Sequence, residues 1–185
     1  MLTDFQEKKI NHLFRIYDQG RNGYLQLRDF LDLAGKICLK MEYLPGSRHH
    51  DGLITKTTRL WDKLMTYFED SKIEVIYPKE WNLFFEENIV NSRTEEVLDE
   101  YVDMLIGFVF DLFDDNHDGY ISIKEYKNMF EVFEIKDSSI EEVFYGLDLN
   151  KDKRLSKYEM VRAMEDFFTS NDPESKGNRL FGELD

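Results

Sequence analysis

The segment FDDNHDGYISIKEY, residues 113–126, sets oxygen-bearing side chains at alternate positions around a single glycine. Counting from Asp114, the first, third and fifth positions are Asp114, Asn116 and Asp118; Gly119 is the sixth, Tyr120 the seventh, Ser122 the ninth and Glu125 the twelfth. Alternate residues of a tightly wound loop point inward, and calcium takes about six to eight oxygens at about 2.3–2.6 Å. Three side chains, the Tyr120 carbonyl, Ser122 or a water held by it, and both carboxylate oxygens of Glu125 supply roughly seven. Gly119 permits the positive φ of the sharp turn. Ile121, at the eighth position, is placed to bridge to the matching residue of a neighbouring loop.

Three further segments fit the same frame with different faults. DLNKDKRLSKYE, residues 148–159, offers Asp148, Asn150, Asp152, the Arg154 carbonyl, Ser156 and Glu159, with Leu155 at the bridging position. Its fault is Lys153 at the sixth position, where a side chain sits at positive φ at a strain of about 1 kcal/mol. The charge also lies close to the cation, so a working but weakened site is expected. DQGRNGYLQLRD, residues 18–29, offers Asp18, Asn22, the Tyr24 carbonyl, Gln26 and Asp29, with Gly23 in the turn and Leu25 bridging. Gly20 supplies no side-chain oxygen, so water must fill that vertex. Asp29 is one methylene shorter than Glu and less able to bite with both oxygens. Fewer contacts and a shorter reach move preference toward magnesium, which wants about six ligands. EDSKIEVIYPKE, residues 69–80, keeps Ile76 and Glu80 but has Ile73 for the fifth ligand and Glu74 for the glycine. It reads as a metal-free structural partner. Up to three calcium ions are therefore expected, with magnesium competing at the first site. Three calcium ions carry the formal charge from −14 to −8, and relief of that repulsion stabilises the folded chain.

Each loop needs a helix on either side. Thr3 and Gln6 form a candidate capping box, and Ile10, Leu13, Phe14 and Tyr17 follow at helical spacing. Further helices are expected over 27–39, 53–68 and from Pro78, which suits a first turn. The stretch 42–52 reads as a linker, from its Pro, Gly and Ser. A fifth helix, capped within 91–96, carries the clearest stripe: Leu98, Tyr101, Val102, Leu105, Val109, Leu112 and Phe113. Gly107 inside it costs about 1 kcal/mol relative to Ala, with close packing as the reason considered. Three more helices are expected over 123–133, 138–147 and 157–168. Helix, acid-rich loop of about twelve residues, helix is the EF-hand pattern, present four times. The expected fold is all-α: four EF-hands in two pairs, packed as one compact globular unit with short β-bridges between paired loops. The pairs are placed at 1–90 and 91–169, with a tail at 170–185. The aromatic stripes read as core rather than as the lining of a ligand cavity.

Composition narrows the function. Hydrophobic residues make up 42% and aromatics 15%, enough for a core of large rings. A net charge of −14 argues against nucleic acid or an anionic membrane as the main partner and favours divalent cations. The single cysteine, Cys38, forms no internal disulfide, which fits a reducing compartment, and reads as a small buried apolar residue. The start, MLTDFQEKK, has no apolar stretch of signal-peptide type, and Leu2 is not the glycine that myristoylation needs. The most apolar run, 104–110, is far too short to span a bilayer. A monomeric cytoplasmic protein is expected. No phosphate loop or serine elbow points to an enzyme. His49 and His50 lack partners at zinc spacing and read as exposed linker, and His117 as solvated.

The start LTDFQEKKI, the first loop ending in Asp29 and the end SNDPESKGNRLFGELD resemble the invertebrate sarcoplasmic calcium-binding proteins, including the neuronal calexcitins. The resemblance implies one compact unit and a tail whose Leu180, Phe181 and Leu184 fold back over the apolar interior. It also implies calcium buffering, often in competition with magnesium. The chain departs from that group at Gly20 and Lys153. A calcium sensor gripping a protein target is the alternative function. A luciferin-binding or photoprotein-like carrier is a lesser one, since the chain has four His and lacks the terminal proline associated with photoproteins.

Overall fold

The computed structural model describes residues 1–68, 74–91, 106–110, 112–136 and 139–184. The helices are α1 (Asp4–Tyr17), α2 (Leu27–Lys40), α3 (Arg48–Thr66), α4 (Pro78–Phe85), α5 (helical at 106–110 and 112–113), α6 (Ile123–Val132), α7 (Ile140–Leu147) and α8 (Lys157–Thr169). Two short strands, β1 (Tyr120–Ser122) and β2 (Arg154–Ser156), pair antiparallel with Ile121 opposite Leu155. In the front half a single antiparallel bridge joins Leu25 to Ile76, with both N–H···O distances at 2.8 Å. The eighth-position residues thus pair in both halves, and the four helix–loop–helix units form two pairs.

Local chemistry starts the helices where the loops require. In α1 the Gln6 amide donates to Thr3 Oγ1 and the Thr3 amide to Gln6 Oε1. Ser122 and Ser156 close equivalent boxes with Glu125 and Glu159, so the ninth and twelfth loop positions also cap α6 and α8. Helices α2 and α6 end alike. Glu42 and Glu134 take left-handed φ of 55° and 57°. The following amides of Tyr43 and Ile135 reach back to Cys38 and Phe130 carbonyls at 2.8 and 2.9 Å, the six-to-one bond of a Schellman turn.

Two expectations need correction. The linker is shorter than 42–52: Ser47 Oγ accepts the His50 amide at 3.2 Å and starts α3 at Arg48, placing His49 and His50 in its first turn. A side-chain cap outweighs the Pro-Gly signal just before it. At Gly107 a built Cβ meets nothing within 4 Å among the described residues, so close packing against them is not its reason. The proposed cap at 91–96 and the stripe residues 98, 101, 102 and 105 lie outside the described residues, apart from Asn91, which ends a π-helical turn over Glu86–Val90.

One continuous apolar cluster joins the halves. Trp81 is buried, stacks edge-on against Phe14, Tyr17 and Phe85, and donates Nε1–H to the Ile10 carbonyl at 3.1 Å. Phe85 meets Phe168 at 4.7 Å and Tyr17 meets Phe133 at 6.3 Å, so rings from the first and second pairs interlock. Val109, Leu112, Phe113 and Cys38 are buried as expected. Among the described residues no helix is long and apolar enough to cross a membrane.

After α8 the chain turns through a short 3-10 helix, Lys176–Arg179, and buries Leu180 and Phe181 completely. Gly177 lets this turn approach α8: a Cβ there would lie 2.4 Å from Asp166 Cβ and 2.5 Å from the Ala163 carbonyl oxygen. Polar side chains of α1 and α6 hold the segment. Buried Lys9 Nζ donates to the Ser170 carbonyl at 2.8 Å and to Asn178 Oδ1 at 3.0 Å. His12 Nε2 donates to the Phe181 carbonyl at 2.9 Å and the Tyr126 hydroxyl to the Leu180 carbonyl at 2.8 Å.

Candidate metal centres

In each of loops 18–29, 114–125 and 148–159 the first-position aspartate organises the turn. Asp114 Oδ1 accepts the Asp118 amide at 3.1 Å and Oδ2 the Gly119 amide at 3.0 Å. Asp18 does the same with Asn22 and Gly23, at 3.0 and 2.9 Å, and Asp148 with Asp152 and Lys153, at 3.2 and 2.8 Å. Asn116 Oδ1 accepts the Asp118 amide and Asp118 Oδ1 the Tyr120 amide; Asn150 and Asp152 repeat this one loop later. These contacts wind the loop and leave each carboxylate with further lone pairs.

Lys153 adopts φ 68° where Gly23 and Gly119 adopt 84° and 80°. The expected strain is therefore present, yet the turn is retained, because its amide still bonds Asp148. Asp29 and Glu125 differ instructively. Glu125 Oε1 accepts the amide of the second loop residue, Asp115, at 3.1 Å, and Oε2 that of Ser122 at 2.8 Å. The shorter Asp29 accepts from the third residue, Gly20, at 2.9 Å and from Gln26 at 3.0 Å. A Cβ at Gly20 would lie 3.0 Å from Asn22 Nδ2 and 3.4 Å from Asp29 Oδ1. The missing side chain at the third position thus allows the loop to close onto the shorter acid.

Loop 148–159 holds two features that spacing does not reveal. Arg154, expected to contribute its carbonyl, sets its guanidinium 3.2 Å from Asp152 Oδ2 and 3.7 Å over the Tyr120 ring. Burial works to raise the Glu159 carboxyl, but hydrogen bonds from Ser156, Asn150 and Leu149 together outweigh it and hold the group below its ordinary value. It is ready to meet a cation as a carboxylate. An all-oxygen set of this kind suits a hard divalent ion. In loop 69–80 residues 69–73 lie outside the described residues; the remainder supplies Ile76 to the bridge.

Sequence reasoning missed the tail anchors Lys9, His12, Tyr126 and Gly177, and the residues that tie one half to the other. Tyr43 donates its hydroxyl to Asp115 Oδ1 at 3.1 Å, and burial together with this bond pushes the phenol up to about 12. His117 is exposed but not merely solvated: its ring lies 6.4 Å from that of His49, which stacks on Tyr43 at 5.1 Å.

Comparison with known proteins agrees with this architecture. Models of the EF-hand domain pair match residues 103–165 and 1–36, together just over half of the chain. The chain belongs to the EF-hand proteins and is a calcium-binding member of them. Its fold is that of a sarcoplasmic calcium-binding protein from amphioxus, with a TM-score of 0.78 at 21% identity over 99% of both chains. The calcium-loaded apo coelenterazine-binding protein of Renilla muelleri superposes with a TM-score of 0.76 at 19% identity, over 99% of this chain and all of that one. The luciferin-binding protein of Renilla reniformis is 26% identical over 100 residues, a match that spans 53% of each protein.

Proposed function

We propose that the chain is a cytoplasmic calcium buffer with three metal sites, in loops 18–29, 114–125 and 148–159, the first shared with magnesium. The ligands are Asp18, Asn22, the Tyr24 carbonyl, Gln26 and Asp29; then Asp114, Asn116, Asp118, the Tyr120 carbonyl, Ser122 and Glu125; then Asp148, Asn150, Asp152, the Arg154 carbonyl, Ser156 and Glu159. The tail carries the choice of buffer over sensor. A sensor works by exposing an apolar groove on binding calcium. Here the interior is closed by Leu180 and Phe181, held from α1 and α6 by three buried side chains. Calorimetric titration with calcium, with and without magnesium, tests the reading, and Glu125→Gln is the control expected to empty the middle site. Binding no tighter than about 10⁻⁴ M, or a large calcium-dependent gain of apolar dye fluorescence, overturns it.

The likeness to two luciferin-binding proteins supports a second reading, a carrier for a compound of that kind. Against it, the cavity lined by Tyr17, Phe30, Leu60, Leu64, Trp81, Phe84 and Phe85 measures about 10 Å³, whereas a ligand of that size needs about 300–1,000 Å³. Gel filtration after incubation with coelenterazine, in calcium and in chelator, separates the two. Co-elution of the chromophore supports the carrier reading, and its complete loss removes it.

A further inference from the structure

The fourth residue of a loop is not a ligand in the frame above, yet in two loops it leaves its own half of the molecule. Arg21, fourth in loop 18–29, sets Nη2 3.0 Å from Glu134 Oε2. Glu134 is the left-handed residue that ends α6, and its other oxygen lies 2.5 Å from Lys36 of α2. His117, fourth in loop 114–125, stacks on His49. His49 in turn stacks on Tyr43, the residue after the left-handed end of α2. Tyr43 also donates to Asp115 of the same loop. Each arrangement ties a loop of one half to the chain just past the end of a helix of the other half, and α2 and α6 meet between them through Lys40 and Glu131.

These contacts close a ring. Loop 18–29 ends at Asp29, in the first turn of α2; the far end of α2 leads to Tyr43, which holds Asp115 of loop 114–125. That loop ends at Glu125, in the first turn of α6; the far end of α6 is Glu134, which holds Arg21 of loop 18–29. Each of the two helices has its start fixed by one metal loop and its end fixed to the other.

We infer that loops 18–29 and 114–125 are coupled across the two halves through the Arg21–Glu134 and Tyr43–Asp115 contacts, so that filling one with calcium raises the affinity of the other. The inference rests on the assignment of metal sites to these two loops. The physical cause is that a cation gathers the twelfth-position carboxylate and fixes the start of the helix that follows it. A helix is stiff over this length, so its far end, and the loop tied there, is ordered before its own ion arrives. Coupling of this kind is reciprocal by linkage. Both contacts are largely exposed, which limits the effect to about two- to fivefold in affinity.

The test uses the full chain labelled with ¹⁵N-glycine. Gly23 and Gly119 sit in the turns of the two loops, each bonded to the first-position aspartate, and their amide signals report the loops separately. Loop 148–159 carries Lys153 there and is silent. Calcium is titrated into the wild type, Glu125→Gln, Tyr43→Phe/Glu134→Gln and the triple variant. The expected result is that Glu125→Gln weakens calcium at the Gly23 loop by about two- to fivefold in the wild-type background, and has no effect on it in the Tyr43→Phe/Glu134→Gln background. Two results overturn the coupling alone: Gly23 titrating with the same affinity whether or not Glu125 is present, or the Glu125→Gln effect persisting unchanged without the two contacts. A Gly23 signal that never responds to calcium overturns the site assignment as well, and is distinct from both.

Discussion

Gly177→Ala isolates the tail without touching any of the proposed metal ligands. The added methyl carbon would stand 2.4 Å from Asp166 Cβ, 2.5 Å from the Ala163 carbonyl oxygen and 3.1 Å from the Phe167 amide nitrogen. Two of these are backbone atoms of α8, so no side-chain rotation clears the space; the 3-10 turn must lift away from the helix. Overpacking of this kind costs about 1–3 kcal/mol. Complete undocking instead exposes Leu180 and Phe181, each worth about 1.5–3 kcal/mol, so the smaller cost sets the loss. With about 2–4 °C of melting temperature per kcal/mol for a chain of this size, a loss of about 1–3 kcal/mol lowers the midpoint by about 2–12 °C. Circular dichroism melting in excess calcium reads this directly, and an apolar dye reports loosening over the interior. Gly146→Ala is the matched control: among the described residues its Cβ meets only Lys176 Cδ, at 4.0 Å, and a helix-interior Gly→Ala change is neutral or stabilising by up to about 1 kcal/mol. A Gly177→Ala protein melting within about 2 °C of wild type, with no added dye signal, refutes the view that the turn is seated against α8.

Lys153→Gly relieves the left-handed strain at φ 68° and raises melting in chelator by the worth of about 1 kcal/mol, about 2–4 °C; an unchanged or lower midpoint contradicts it. Asp29→Glu lengthens the acid so that both oxygens reach a cation at the first site, shifting preference toward calcium over magnesium by about tenfold, the worth of one charge-assisted contact; competition calorimetry at that site measures it. Lys9 is pushed down to about 8, by burial first, with the Asp166 carboxylate opposing. Its folded value lies below the unfolded one of about 10.4, so the unfolded chain binds more proton between the two. Wild-type stability relative to Lys9→Met therefore rises as pH goes from about 8 to 10. A difference in melting temperature that stays flat across that window rules this out.

The winding of the loops proposed to hold metal was legible in the sequence because every part of it is local. Glu125 lies three residues from the serine it caps, and Gly119 five from the aspartate that accepts its amide. The defects were equally local, so Lys153 and Gly20 declared themselves. What escaped was set by docking between distant segments. Nothing near Lys9 in the sequence indicates that Asn178 will receive its ammonium, and nothing near Arg21 points to Glu134. The start of α3 was missed for a different reason: Pro45 and Gly46 gave a loop signal, while the Ser47 cap that ends the loop is a single residue.

The bridge between Leu25 and Ile76 has a consequence for inheritance. We read loop 69–80, with Ile73 at its fifth ligand position and Glu74 where the turn glycine would be, as under no demand from an ion, so that its polar residues are free to drift. Ile76 is not, since its main chain zips the second loop to the first and its side chain is fully enclosed. Descendants of this protein should keep a branched apolar residue at 76 long after every oxygen around it has been exchanged.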